Sequence, residues 1–381
     1  LVRRRLFVVA RARVAVERVA VGRVAVERTL RCASLRSRTT CETAQMRRAF
    51  AGDPSAQRAC AIAALDVTRA NGSSTVTRCY AEYPMKYLTP KRGIDGDCDC
   101  AWAYAVNMGG GLVSGDASGT TIRVDDGCAL VLATQGTQKV YKHNKRRWDE
   151  CEKADEGVGR SGVGETTSAL YASVGDGGLL ALLPDPTQLF SGAVFRQTQT
   201  IDIHENGSCV CVDWITAGRV GYGNERWAFE RADVRTRVMA NDDPVVIEAT
   251  RLEASSRDSL HANVSLALRM GAVNVFASLI IVGSRVQDLA KSCGDWACAS
   301  ATRHMAQGGA SWVRASPDAL TQTDPRSTLF VTASDLPLPY PGVVLRFFAA
   351  DSESVLDVLR KLLAPLASQL GAPPYDERGG S

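Results

Sequence analysis

From residue 61 to about residue 252, short runs of β-branched or alternating apolar residues are separated by clusters of Gly, Asn and Asp. This is the pattern of many strands joined by turns. The best examples are residues 75–81, 98–106, 120–125, 128–134, 195–203, 209–215 and 245–252. In 98–106, Cys98, Cys100, Trp102, Tyr104 and Val106 share one face of a strand and Asp99 lies on the other, which predicts a half-buried strand. Between Ile203 and Cys209, the Asn206-Gly207 pair predicts a tight hairpin, with His204 a solvated turn residue and not a ligand. Residues 143–166 carry dense mixed charge and several Gly without apolar periodicity, so a long, poorly ordered loop is expected there.

Later in the chain, residues 273–282 predict a buried strand and 285–305 a helix, although Cys293-Gly294-Asp295 weakens that helix. Residues 328–332 and 343–348 predict strands. The clearest helix spans 353–370, where Val355, Leu356, Leu359, Leu362, Leu363, Leu366 and Leu370 make one apolar stripe and Pro365 predicts a kink. That stripe is what a helix uses to dock on a sheet, so it reads as core. The fold class is mainly β, with a few helices, the clearest near the C-terminus.

Composition changes this picture at the N-terminus. Residues 1–59 hold 14 Arg, no Lys and only Glu17, Glu27, Glu42 and Asp53 as acids, a net of +10 against +4 for the whole chain. The remainder, 60–381, is therefore −6, which offers no broad cationic face for nucleic acid. Arg13, Arg18, Arg23 and Arg28 mark a five-residue repeat of low complexity, so 1–59 is set apart as a disordered segment. Its Arg-rich, acid-poor character suits an organellar transit peptide, while translated upstream sequence is the other reading. The body is taken as one domain, 60–375, with a disordered tail at 376–381. The longest nearly apolar run, residues 270–282, is too short to span a bilayer as a helix, so no membrane is expected.

The twelve Cys include no CxxC pair. Cys98/Cys100 and Cys209/Cys211 each place two thiols on one strand face, either as soft-metal ligands or as small buried hydrophobes. Sequons at Asn71, Asn206 and Asn263, together with the Cys content, keep open a secreted, disulfide-containing β-rich binding module or hydrolase. Gly109-Gly110-Gly111-Leu112-Val113-Ser114-Gly115-Asp116 invites a phosphate-loop reading, but no Lys-Ser/Thr follows and residues 120–124 alternate as a strand. These glycines instead suit a close turn between strands, with Asp116 at its exit as a turn cap or a placed carboxylate. No G-x-S-x-G or H-E-x-x-H occurs, and His143, His204, His261 and His304 are scattered, so no enzyme activity is expected.

Four ordered blocks carry a family resemblance. They are Gly109 to Asp116; Thr134-Gln135-Gly136-Thr137-Gln138-Lys139-Val140-Tyr141; Leu183-Pro184-Asp185-Pro186-Thr187-Gln188-Leu189-Phe190-Ser191-Gly192-Ala193; and Val212-Asp213-Trp214-Ile215-Thr216-Ala217-Gly218-Arg219 with Gly223-Asn224-Glu225-Arg226-Trp227. Over residues 61 to 375 the chain resembles the UreD/UreH family of urease accessory proteins, nearest its plant-like branch. The resemblance implies an elongated, β-sheet or β-helix-like scaffold in the cytoplasm. It would bind apo-urease and a UreF-type protein, through which a UreG-type GTPase joins, and help deliver nickel. No permanently bound cofactor is implied; Ni2+ would pass transiently and have no firm site.

A conduit needs oxygen ligands that hold a divalent ion weakly, because a tight site would trap its cargo. The family's tunnel-associated acids fall on Asp116, Asp213 and Glu248. Each also has a structural reading: turn cap, strand-end acceptor, and solvent face of the 245–252 strand. Gly109, Gly110, Gly111 and Gly115 are the structural turn. Lys139, Tyr141 and Arg219 are partner-interface candidates, with a strand edge the alternative for the first two. Ala117 stands where some relatives carry Glu, and Gln138 where some carry Ser.

Overall fold

Two burial patterns distinguish central strands of the two sheets. In β13, Arg231–Ala240, burial alternates: Ala232, Val234, Thr236, Val238 and Ala240 are buried and the residues between them are not. In β9, Leu179–Leu183, and β15, Val275–Val282, every residue is buried. Alternation marks a sheet with one face on the core and one toward water; continuous burial marks a sheet covered on both faces. The computed structural model describes residues 61–90, 98–143, 165–223, 225–254, 264–306 and 329–375. The readings of 1–59, of the charged stretch 144–164 and of 376–381 lie outside these residues.

The half-solvated sheet has the order β14 (Asp243–Glu253), β13, β11 (Val194–Ile203), β8 (Thr166–Val174), β5 (Ala117–Val124), β1 (Ala61–Ala70) and β2 (Ser73–Ala81). The covered sheet runs β16 (Leu329–Asp335), β17 (Gly342–Ala349), β15, β12 (Ser208–Thr216), β9, β6 (Ala129–Thr134), β4 (Ala101–Asn107) and β3 (Met85–Leu88). Beside β12 lies β10 (Thr187–Leu189), and beside β10 lies β7 (Gln138–Val140). The central strands are parallel in both: β5, β8, β11 and β13 in one, β4, β6, β9 and β12 in the other. The chain crosses between sheets at β5 to β6, β8 to β9 and β11 to β12, so successive coils stack in a β-helix-like arrangement.

This topology corrects the hairpin expected at 203–209. Ile203 pairs with Val174 and Ala240 in one sheet, whereas Cys209 pairs with Leu180 and Val282 in the other, so His204 to Gly207 form an arch. The arches stack: Gly175 N–H donates to Val124 O at 2.8 Å, His204 N–H to Val174 O at 2.9 Å, and Asn206 Nδ2 to Asp176 Oδ1 at 2.7 Å. A Cβ at Gly207 would lie 3.1 Å from both His204 O and Val174 O, so Gly here serves close stacking. His204 is exposed, as its turn position predicted. A true Asn-Gly hairpin joins β1 to β2, where Asn71 and Gly72 have φ of 51° and 78°, the signs of a type I′ turn.

Helices cover the outer face of the second sheet. The predicted 285–305 helix is a 3-10 turn, Ser284–Val286, followed by α1, Gln287–Ala306, which runs through Gly294. The predicted 353–370 helix is α2, Ser352–Leu363, capped by Asp351, whose carboxylate accepts from Ser354 N–H at 2.8 Å. Pro365 sits in a tighter turn, Ala364–Leu366, before a last helical turn, Ala367–Leu370. Val355, Leu359, Leu362, Leu363, Leu366 and Leu370 of the stripe are buried in one cluster with Leu279, Leu345 and Phe347 of the sheet, and Leu356 packs against it half-buried, as expected for core. Among the described residues, no helix is long and apolar enough to cross a membrane.

Cys98, Cys100 and Trp102 do share a face, which packs under these helices. The half-buried reading of their strand is corrected, because Ala101 and Ala103 on the other face are buried between the sheets. Two apolar clusters occupy that inter-sheet space. One, nearest the arches, holds Ile122, Val174, Ile201 and Cys209; the other holds Leu189, Phe195, Phe229 and Val234.

Candidate functional site

Between those clusters lies a polar layer, and strand parity puts it there. On β11, Gln197 and Gln199 have the same inward parity as Phe195, Ile201 and Ile203, which belong to the two apolar clusters. On β12, Asp213 has the parity of Cys209, Cys211 and Ile215. Strand register extends the layer sideways. Thr120, Leu170, Gln199, Thr236 and Glu248 are successive partners across the first sheet; Asp213, Ser278 and Arg346 are successive partners across the second. Four strand steps separate Thr120 from Glu248, roughly 19 Å at about 4.8 Å per step. A polar seam thus crosses the strands at right angles.

Asp213 occupies the middle of the seam and is 8% exposed. Its Oδ2 accepts from Gln197 Nε2 at 2.8 Å, Gln199 Nε2 at 3.2 Å and Thr236 Oγ1 at 3.5 Å. Burial pushes its carboxyl up from 3.8 to about 6, and these neutral donors pull against that rise. The Cys211 thiol donates to Gln199 Oε1 at 3.9 Å, which points the Gln199 amide N–H at Asp213. At the β5 end, Tyr87 Oη and Thr120 Oγ1 are 3.0 Å apart, and burial pushes the Tyr87 hydroxyl up to about 12.

At the other end, Glu248 meets Arg346. Arg346 Nε donates to Glu248 Oε1 at 2.7 Å and Nη2 to Oε2, a two-pronged pair. The solvent-face reading of Glu248 is corrected: Glu248 is 9% exposed and points inward, whereas Ile247 is 58% exposed on the water side. Polarity on this strand is inverted because Arg346 supplies a partner inside. Asp213, Thr236, Glu248 and Ser278 together line a cleft of about 10 Å³, space for about one water-sized group.

From the opposite side, Asp213 is reached by a cavity of about 320 Å³ between the sheets. Gly110, Gly111 and Lys139 line it, as do Gln197, Gln199 and Asp185. Asp185 Oδ2 accepts from Thr134 Oγ1 at 3.0 Å and Gly136 N–H at 2.6 Å, which ties two of the family-like blocks together. Gly109, Gly110 and Gly111 have φ of 110°, 79° and 152°. A Cβ on Gly111 would lie 2.6 Å from Lys139 O and 2.7 Å from the Tyr141 ring, so only Gly allows the 112–140 bridge to close.

Asp116 stands apart from the seam. Its Oδ2 accepts from Val113 N–H at 2.8 Å and its N–H donates to Val113 O at 3.0 Å, a turn cap that includes Gly115 at φ 83°. Lys139 is exposed on β7, with its backbone O accepting from Leu112 N–H at 2.8 Å. Tyr141 and Arg219 come together through Phe190: the Tyr141 and Phe190 rings meet edge to face at 5.2 Å, and the Arg219 guanidinium lies 4.7 Å from the Phe190 centroid. Arg219 also covers Tyr222 at 4.4 Å and pairs with Glu225 at 2.5 Å.

Of the CxC thiols, Cys100, Cys209 and Cys211 are buried, and Cys98 is half-buried, its thiol donating to Gln369 O at 2.9 Å. Burial pushes Cys100 and Cys209 up to about 12 and Cys211 well above its ordinary value, which favours the protonated thiol in all three. Cys79, Cys100, Cys128, Cys209, Cys211 and Cys293 are free of disulfides. Among the described residues, no three His, Cys, Asp or Glu side chains converge as a metal site.

Gln197, Gln199, Thr236, Ser278 and Arg346 were not singled out from the sequence. Their signal was available as parity: each is a polar residue on the inward face of a strand whose other inward residues are apolar.

A family profile described as "UreD urease accessory protein" matches residues 59–380. The chain is 33% identical to urease accessory protein D of Oryza sativa subsp. indica over 317 residues, 83% of this chain and 96% of the rice protein. Its identity to urease accessory protein D of Arabidopsis thaliana is 30%, over 81% of this chain and 97% of that protein. With urease accessory protein UreD of Sorangium cellulosum (strain So ce56) it shares 32%, over 81% of each chain.

Proposed function

Because the chain belongs to the UreD family of urease accessory proteins, with a role in urease maturation, we propose that its polar seam is a path by which Ni2+ moves toward apo-urease. The observation that carries this reading is Asp213: a carboxylate between two apolar clusters, at the floor of a cavity and next to a second cleft. Around it lie amides, hydroxyls and carboxylates. Such hard oxygen donors bind a borderline ion loosely enough to let it go. The apolar layers on either side confine a cation to the seam, because leaving it means losing every polar partner.

In this reading the protein makes and breaks no covalent bond. It acts as a scaffold, with a UreF-type protein and, through it, a UreG-type GTPase as partners in the cytoplasm. The Lys139 strand and the Tyr141, Phe190, Arg219 and Tyr222 cluster suit docking, since exposed aromatics and Arg are common anchors of interfaces.

The test is Asp213→Asn, which keeps size and hydrogen bonding but removes the charge. Expressed with urease and the accessory proteins, this variant is expected to leave assembly of the complex intact and to lower nickel-dependent urease activation by about tenfold or more. Activation equal to the parent's would remove Asp213 from the path.

A further inference from the structure

The seam's charges do not balance as they would in a resting core. Asp213 and Glu248 line one small cleft, both nearly buried. Asp213 takes its hydrogen bonds from Gln197, Gln199 and Thr236, all neutral, while Glu248 takes a two-pronged bond from Arg346. Of the cleft's two carboxylates, Glu248 is thus bonded to a guanidinium and Asp213 to neutral donors. Across the covered sheet Arg346 stands beside Ser278, and Ser278 beside Asp213, while on its other side Arg346 pairs with Thr332 of the edge strand β16. The Arg346 side chain is 30% exposed against 11% for Glu248, and Arg346 Nη1 reaches out to Ser334 Oγ at 3.3 Å. Arg346 therefore sits one strand in from the sheet edge, with water on one side of its guanidinium.

We infer that Arg346 is a tethered cation that gates this end of the seam, holding the position beside Glu248 that a divalent cation must occupy. This rests on the reading of the seam as a cation path and adds its control element. With Arg346 in place, the cleft carries one net negative charge. With the guanidinium swung toward solvent, Glu248 and Asp213 match the charge of one divalent ion, with Thr236, Ser278 and Thr250 hydroxyls adjacent. An arriving ion and Arg346 compete for the same carboxylate. The site stays weak while the pair is closed, as a conduit requires.

Equilibrium dialysis of Ni2+ against the full chain tests this, with a melting curve to confirm folding. Arg346→Gln is expected to bind one Ni2+ at least roughly tenfold more tightly than the parent, because a repelling charge leaves the site. Adding Glu248→Gln should return the affinity to the parent's. If Arg346→Gln fails to fold, Arg346→Lys replaces it: an ammonium cannot hold both carboxylate oxygens, so a gain of about threefold is expected. Unchanged affinity in the folded variant, or a gain that survives Glu248→Gln, overturns the gate. Failure of the gate is separable from failure of the path. If Asp213→Asn abolishes activation while Arg346→Gln gains no Ni2+ affinity, only the gate falls; if Arg346→Gln gains affinity while Asp213→Asn activates normally, the cation site stands without the path.

Discussion

Ile201 and Gln199 lie two residues apart on β11 and point into the same inter-sheet space, yet they belong to different kinds of interior. Ile201 is fully buried in one apolar cluster with Val174, Cys209 and Val238. Gln199 is nearly as buried, but its amide is committed to Asp213 and its carbonyl to Cys211. The apolar layer holds the sheets together; the seam keeps a charge inside at a cost to stability. Removing apolar volume should therefore have the larger effect on folding. Ile201→Ala is expected to lose about 3 to 4 kcal/mol, a transfer term plus a cavity term. Thermal or urea melts check this, and a loss under about 1 kcal/mol would mean that the arch-side layer does not hold the sheets.

In the seam the sign reverses. Burial raises the Asp213 carboxyl from 3.8 to about 6. Between those values the native chain holds a proton that the unfolded chain has released, so this group's contribution to stability falls as pH rises through that window. Above about pH 6 the full cost remains, at most roughly 3 kcal/mol for a shift of about two pH units. Asp213→Asn removes it. The variant should melt above the parent at pH 7 to 8 and converge with it near pH 4, while losing urease activation. A parent that melts higher at pH 7.5 than Asp213→Asn would contradict a penalised carboxylate.

Much of the fold was legible locally. The 353–370 stripe, the 273–282 run and the strands expected within 75–134, 195–215 and 245–252 follow from periodicity, because each segment's own burial pattern decides its type, whereas β8, β9 and β13 are not among the segments named from the sequence. Which sheet a strand joins was not legible. Asn71-Gly72 and Asn206-Gly207 are the same dipeptide, yet one turns a hairpin and the other an arch, since the second is set by parallel neighbours distant in sequence. The site was half visible. Asp213 and Glu248 entered through the family resemblance, but Arg346 is 98 residues from Glu248 and only pairing across β14 and β17 brings them together. Ile247 outside and Glu248 inside invert the usual polarity, so hydropathy alone points the wrong way on that strand.

The smallest expected effect tests how finely the seam is tuned. Thr236 is 2% exposed, and its hydroxyl makes the longest of the three side-chain hydrogen bonds to Asp213, at 3.5 Å. Thr236→Val keeps the shape and deletes one donor. A bond this long contributes little, so a stability loss of about 0.5 to 1 kcal/mol at neutral pH is expected. The loss has a direction in pH as well, because Thr236 lowers the Asp213 carboxyl against the larger effect of burial. Without that donor the carboxyl rises further, and the pH window over which stability falls extends upward. The added cost is confined to the charged form, so parent and variant should differ most above pH 7 and least near pH 4. Melting temperatures of the two across that range check the point, and a difference that is the same at every pH would show that Thr236 supports the sheet and not the charge.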